Sequence, residues 1–376
     1  MRMHSKTFLY FVLDWGLGHA TRSIAVIRAI LDQGHRVVIV STGRSLSLLR
    51  REFENCVCID MPDYHIRYSR FRPVLVAHLI AQVPGILMRI HREQRRTERL
   101  ASRYGADCIV SDNRYGCFSK NIPSFLMTHQ LRFHLPRQIA WSAWMSEWFN
   151  RFQFRHYAKV FVPDEASAPN LSGELSHRGR ITSHQKLFYA GPLSSLKPCR
   201  AGGGDIRFLF IVSGPEPQRT HLEKILMDQA GDLPGRKVMV LGKPEADHAG
   251  VSWSRGLEIY PHVTRSRMAE FICNAGTIIS RSGYSTIMDL AASGKKAILL
   301  PTPGQTEQEY LARHVMESGL FFSVEQKNLD LKKALKEAEA FYLKDRPAFG
   351  CNRLGDILAW VENGKGGSSL SERQHR

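Results

Sequence analysis

Acid is scarce in this chain: 35 aspartates and glutamates stand against 52 lysines and arginines, a net charge of +17 over 376 residues. Several marks of particular classes are missing as well. None of the seven cysteines forms a CxxC pair, so neither a disulfide framework nor a zinc site is indicated; reduced, buried thiols are expected, with Cys56 and Cys58 on one face of a strand. No apolar run reaches the roughly 18 to 20 residues that cross a bilayer, and Met1 to Lys6 leads into a strand-like run rather than a signal-peptide core. A cytoplasmic protein is expected. No nucleic-acid reader motif accompanies the charge, so no nucleic-acid partner is expected. No GxGxxG occurs, which disfavours a dinucleotide, and no Asp-x-Asp occurs to hold a metal diphosphate.

What the chain has is length enough for two cores and an alternation of apolar strand-like runs with helical patterns, the signature of parallel sheets. Strands are expected at Thr7–Leu13, Val37–Val40, Cys56–Ile59, Cys108–Val110, Ser124–Met127 and Val160–Val162, and again at Ile206–Val212, Lys237–Leu241, Leu257–Tyr260, Thr277–Ile279, Ala297–Leu300 and Phe321–Val324. The implied fold is α/β, two Rossmann-like doubly wound domains facing each other across a cleft. Residues 1–170 form the first domain, a polar, glycine-bearing stretch at 171–204 reads as a linker, and residues 205–350 form the second. A helix at 351–363 is placed to return to the first domain, and the polar tail at 364–376 reads as disordered.

Ligand sites in such folds lie at the carboxyl ends of the strands. The most telling strand end is Ser280-Arg281-Ser282-Gly283-Tyr284-Ser285-Thr286, where a buried strand breaks at a small-residue turn into a helix. A helix start with free N–H groups binds phosphate, and Asp289, a turn further on, suits a ribose diol. The next strand delivers Gln305, Gln308 and Glu309 beside it, after Pro303-Gly304. Ser213, Gly214 and Arg219 follow another strand and are suited to a phosphate; Val263 and Thr264 offer backbone contacts to a flat base. Each of these also reads as an ordinary turn. Together they describe a nucleotide-sugar donor site.

In the first half, Gly16-Leu17-Gly18-His19 turns from strand to helix, Asp112 ends the Cys108 strand and His129 follows the Ser124 strand. If those strands are neighbours, His19, Asp112 and His129 converge on one acceptor hydroxyl, with a histidine oriented by a carboxylate as general base. A capping histidine and a capping aspartate are the plainer alternatives.

These motifs, in order from about Lys6 to Trp360, resemble those of GT-B glycosyltransferases of family 28, the MurG-like group. Within it the pattern is most similar to poorly characterised bacterial members with a Gly-Leu-Gly-His loop. The resemblance implies a hexosyltransferase that moves a sugar from a UDP-N-acetylglucosamine-like donor to a lipid-linked or cell-envelope glycan acceptor, by inversion, with no cofactor and no metal, the nucleotide-sugar being a substrate. It implies that Asp289 holds the ribose, an Asp where the family has Glu, and that Gln308 and Glu309 stand where the family has the Gln-Gln pair that meets the sugar. A UDP-sugar 2-epimerase of the same architecture and a non-catalytic nucleotide-sugar-binding protein are the competing expectations. The nine arginines between Arg67 and Arg103, against Glu93 and Glu98, and the aromatic run holding Trp141, Trp144, Trp148, Phe149, Phe152 and Phe154, suit an anionic membrane surface on its inner face; core helices with solvated basic faces are the alternative.

Overall fold

The computed structural model describes residues 5–64, 75–134, 143–199, 204–243, 250–343, 349 and 353–363. The chain opens with β1 (Thr7–Val12), α1 (Leu17–Asp32), β2 (Arg36–Ser41), α2 (Gly43–Glu52) and β3 (Val57–Asp60). It continues with α3 (Leu75–Tyr104), β4 (Cys108–Asp112), β5 (Ser124–Met127), α4 (Ala143–Phe154), β6 (Lys159–Val162), α5 (Glu174–His177) and β7 (Leu187–Tyr189). The strands pair in parallel in the order β3-β2-β1-β4-β5-β6-β7. Continuous apolar runs such as Phe8 to Val12 are buried on both faces, as a parallel sheet sandwiched between helices requires.

The second domain comprises β8 (Ile206–Ile211), α6 (Gln218–Ala230), β9 (Arg236–Val240), β10 (Ser252–Ser254), β11 (Leu257–Tyr260), α7 (Arg265–Asn274) and β12 (Ala275–Ser280). Then come α8 (Tyr284–Ser293), β13 (Ala297–Leu299), α9 (Thr306–Glu317), β14 (Phe322–Ser323), α10 (Leu331–Phe341) and α11 (Leu354–Asn363). Its sheet runs β10-β11-β9-β8-β12-β13-β14, parallel except for the edge strand β10. In both sheets the winding direction reverses beside the first strand, at β1/β4 and at β8/β12, so each domain carries a crevice at the carboxyl ends of those strands. Helix α11 leaves the second domain and packs Ile357, Leu358 and Val361 into the first domain's core beside Ile24 and Phe161.

Three expectations change. The stretch at 171–204 is no free linker: it contains α5 and β7, the last strand of the first sheet, and its Leu171, Leu175 and Leu196 are buried in the second domain's core. Three apolar residues, Leu187 to Tyr189, are too short a run to stand out among polar neighbours. Strand β10 was likewise missed, being half polar. The third is Cys199 and Cys273, which form a disulfide across 74 residues instead of remaining thiols. Nothing in their spacing signals this, since α7 has to pack against the chain leaving the first domain before the two can meet. Closing a loop of that length contributes about 4 kcal/mol in the chain-entropy description. Cys56 and Cys58 are free and pack against the first core. The arginines at 67–72, Trp141 and the tail at 364–376 lie outside the described residues. No helix among the described residues is long and apolar enough to cross a membrane.

Alkylation in denaturant checks the disulfide: without reductant two fewer cysteines are labelled than after reduction, and mutation of Cys199 to Ser removes the difference. Full labelling without reductant would show the pair unformed.

Candidate active site at the domain cleft

Asp112 closes β4 at the crevice and its side chain is inaccessible to solvent. A lone carboxylate there would be costly, and four donors surround it. Arg22 approaches with Nε at 2.7 Å from Oδ2 and with Nη2 on Oδ1; Ser23 Oγ donates to Oδ2 at 2.9 Å; and His19 Nδ1 lies 2.8 Å from Oδ1. Burial alone would push this carboxyl up, but the attraction of Arg22, then of His19, with their hydrogen bonds, outweighs it and holds Asp112 below the usual carboxylate range. Asp112 is therefore a poor proton acceptor and a strong orienter. His19, Arg22 and Ser23 reach it from the first turns of α1 because i, i+3 and i+4 share a helix face.

Asp112 Oδ1 and Arg22 Nη2 lie 2.8 and 2.9 Å from His19 Nδ1; we assign the Nδ1 proton to the carboxylate, which only accepts, and this leaves the lone pair on Nε2. No partner engages that nitrogen among the described residues. His129 is arranged in the opposite sense. Arg22 Nη1 lies 3.0 Å from its Nδ1, and since a guanidinium only donates, Nδ1 must accept; Nε2–H then donates to Glu307 Oε1 at 2.8 Å. Burial is the largest influence on His129 and lowers its proton affinity, and the hydrogen bond and charge of Glu307 recover only part of this. Both ring nitrogens are occupied, and the ring stacks on Tyr284 at 4.1 Å.

Glu307 belongs to α9 of the second domain, so this contact crosses the cleft, reinforced by Gln130 Nε2 to Glu307 Oε2 at 2.5 Å. Tyr284 also crosses, its hydroxyl donating to the Pro163 carbonyl at 2.7 Å. Nearby, Gly18 packs directly against Ser285, and a Cβ at position 18 would overlap the serine hydroxyl. A side chain at position 18 would make the Ser285 hydroxyl turn away. Helices α1, α8 and α9 all begin at this place, after Gly16, Gly283 and Gln305, and none has a side-chain cap on its first turn. Away from it, α10 is capped by Asp330. Uncapped helix starts leave N–H groups and positive dipole ends available to an anion.

Arg281 adds a cation of unusual standing. It is buried, donates to the carbonyls of Leu300, Pro301 and Gln218, and has no carboxylate at ion-pair distance among the described residues. Its Nε has no partner, and burial pulls the guanidinium down to about 10. Gly214, with φ of 113°, passes close to that Nε and to Thr302 Oγ1. Ser213 is half-buried on the same turn.

Other expected donor residues are engaged within the protein. Arg219 bonds Glu216 in an i,i+3 ion pair and donates to the Gly242 carbonyl. Asp289 is gripped by both terminal nitrogens of Arg265 and by Ser194 Oγ. A ribose diol would share its remaining lone pairs. Ser282 Oγ donates to the Gln308 carbonyl, and Thr302 donates twice to Gln308 Oε1. Gln308 Nε2 donates to Gln305, and Glu309 accepts from Gly304 N at 2.8 Å, so these three residues brace their own turn. Thr264 caps α7, Val263 packs against the second core and Thr286 lies in the first turn of α8. Sequence reasoning overlooked Arg22, Arg265, Tyr284 and Glu307. Only Arg22 had a readable signal, its position three residues after His19.

Residues 242–347 match the glycosyltransferase family 28 C-terminal domain, and residues 6–122 match the glycosyl transferase family 1 domain. The chain carries a glycosyltransferase family 28 C-terminal domain and is similar to MurG-like glycosyltransferases. A UDP-N-acetylglucosamine–N-acetylmuramyl-(pentapeptide) pyrophosphoryl-undecaprenol N-acetylglucosamine transferase from Sulfurihydrogenibium is 28% identical over 85% of this chain and 86% of its own. An uncharacterized glycosyltransferase from Methanosarcina acetivorans is 22% identical over 83% of both. Among solved structures, the calicheamicin glycosyltransferase CalG4 superposes with a TM-score of 0.59 at 14% identity, covering 99% of this chain and 98% of that one. MurG of Acinetobacter baumannii gives 0.51 at 12%, covering 95% and 99%. These likenesses show the GT-B fold.

Asp112, Glu307 and His129 all favour their folded-state charge as pH rises: the two carboxyls are held low, and His129 is held neutral where an unfolded imidazole would take a proton near 6.5. Stability from all three is present at neutral pH and is lost on acidification, the His129 part first, below about pH 6.5. Melting temperature should therefore fall between pH 7 and 5, and H129Q should shallow that fall by roughly 1–3 °C. An unchanged slope in H129Q would remove His129 from the account.

Proposed function

We propose that this family 28 enzyme transfers a sugar from a UDP-sugar of the UDP-N-acetylglucosamine type to an acceptor hydroxyl by one inverting displacement. The observation that carries this reading is His19: its Nδ1 is held by Asp112, its Nε2 is uncommitted, and it stands in the first turn of an uncapped helix facing another across the cleft. His19 Nε2 takes the proton of the acceptor O–H as that oxygen attacks the anomeric carbon. The bond from that carbon to the β-phosphate oxygen breaks, and its electron pair leaves on UDP.

Charge on the departing diphosphate is met by the N–H groups opening α8 and by Arg281, with Ser213 and Gly214 alongside; no metal or cofactor is called for. Ribose is assigned to Asp289 and the base to the Val263–Thr264 backbone. Support for a nucleoside diphosphate comes from the name of the Sulfurihydrogenibium relative, which specifies a UDP donor, and from a GT-B neighbour, SsfS6 of Streptomyces, whose structure holds thymidine diphosphate. The acceptor class proposed is a lipid-linked or cell-envelope glycan.

Thermal shift with UDP, GDP and TDP tests the donor site. UDP is expected to raise the melting temperature most. D289A should lower the unliganded melting temperature, because Arg265 loses its partner, and should abolish the shift. H19A should keep the shift but reduce turnover by roughly 100-fold or more. A shift in D289A equal to wild type, or full turnover in H19A, would overturn the corresponding assignment. Free UDP formed together with a transferred sugar excludes the epimerase.

A peripheral position at an anionic membrane is part of the same proposal. Helix α4 turns its polar residues inward, where Asn150 bonds the Gln130 and Leu131 carbonyls and Glu147 pairs with Arg132. Its aromatic residues, Trp144, Trp148 and Phe152, are exposed at i, i+4 and i+8. Helix α3 adjoins the same core cluster and exposes Leu87, Met88, Arg89, Arg92, Arg95 and Arg96. An apolar face ringed by arginine matches an anionic interface. Sedimentation with phosphatidylglycerol vesicles should capture the protein in a salt-dependent way, and W148E should weaken capture roughly tenfold; binding equal to wild type would sink this part.

A further inference from the structure

Between Glu307 in the second domain and His19 in the first runs an unbroken line of directed hydrogen bonds. His129 Nε2–H donates to Glu307, Arg22 donates to His129 Nδ1 and to Asp112, and His19 Nδ1–H donates to Asp112. Arg22 can only donate and the two carboxylates can only accept, which sets every direction but one: His19 Nδ1 also lies 2.9 Å from Arg22 Nη2, and its proton is assigned to Asp112. The charges follow. Arg22 by itself neutralises Asp112, which would leave His19 facing a balanced pair. Glu307 brings a second negative charge to the far side of Arg22, so the group as a whole carries one net negative charge before His19 takes a proton and none afterwards.

We propose that Glu307 is a positioning residue for His19, acting across the cleft through His129 and Arg22, so that the base reaches its working arrangement only when the two domains are together. The inference rests on the reading of His19 as the base. Glu307 sits two residues after the Gln305 that opens α9, in the same first turn as Gln308 and Glu309, so a donor that draws this helix start toward the first domain also completes the line. When the domains part, Glu307 leaves His129 and takes its negative charge from the far side of Arg22, the guanidinium that holds Asp112 and also lies 2.9 Å from His19 Nδ1.

Two measurements on the full chain test this, the first needing no substrate. With ¹⁵N-histidine labelling, wild type is expected to show a protected His129 Nε2–H and a protected His19 Nδ1–H, assigned by H129Q and H19A. In E307A the first should lose protection and the second should shift, while E307Q, which keeps an acceptor oxygen, should retain the first. A His19 signal identical in wild type and E307A overturns the relay. The second is donor turnover with UDP-N-acetylglucosamine. E307A is expected to lower kcat by roughly 10-fold or more with donor KM changed by less than about threefold, and E307Q should recover part of the loss. A raised donor KM with kcat intact would instead make Glu307 a direct ligand of the sugar and overturn the proposal. H19A measured in parallel separates the two readings: an active H19A defeats the base assignment, whereas an inactive H19A beside a fully active E307A defeats only the role of Glu307. A melting temperature for E307A near wild type shows that the loss is not one of folding.

Discussion

A buried carboxylate held by a buried guanidinium, Asp112 with Arg22, is the interaction on which the site depends. Neither group tolerates removal of the other, since a single uncompensated charge at that depth costs about 3–5 kcal/mol. The pair therefore locks the end of β4 to the first turns of α1. It also stands between two histidines and, with the His19 proton assigned to Nδ1, gives them opposite chemistry: His19 keeps a free lone pair and His129 keeps none. Two histidines of the same type, about equally close to one ion pair, are thus separated in role by hydrogen-bond direction alone.

The second constraint is how near the domains approach. Gly18 against Ser285, Tyr284 against His129 and Pro163, and Glu307 against His129 and Gln130 all lie at one place, where three helices begin without side-chain caps. Among the described residues those helix starts have no side-chain cap and the Nε of Arg281 has no partner, and such groups are stabilised by an anion. Arg281 Nε is left without a partner, whereas Arg219 and Gln308 are engaged by neighbours on their own turns.

Much of the fold was legible because parallel strands buried on both faces are continuous apolar runs, and runs such as Phe8–Val12 or Ile206–Ile211 are hard to mistake. Short strands with mixed character, β7 and β10, were not. Within the site, strand-to-helix turns announced themselves through Gly, Ser and Pro, which is why Gly16, Gly18, Gly214 and Gly283 could be placed beforehand. Arg265, Tyr284 and Glu307 carry no such mark. An arginine, a tyrosine or a glutamate near a helix start is ordinary in sequence and acquires meaning only from what stands across the cleft.

By itself the sequence determined the two α/β units, the helix starts that attract an anion and the identity of the groups able to exchange a proton, because periodicity, turn chemistry and side-chain type are local properties. Only the tertiary structure decided which groups are partners: that Asp112 belongs to Arg22, that His19 rather than His129 keeps a free nitrogen, that Glu307 reaches across the cleft, and that Cys199 meets Cys273. Those pairings join residues 74 to 178 positions apart, or depend on one shared partner, and no local pattern encodes a distance closed by the packing of two domains.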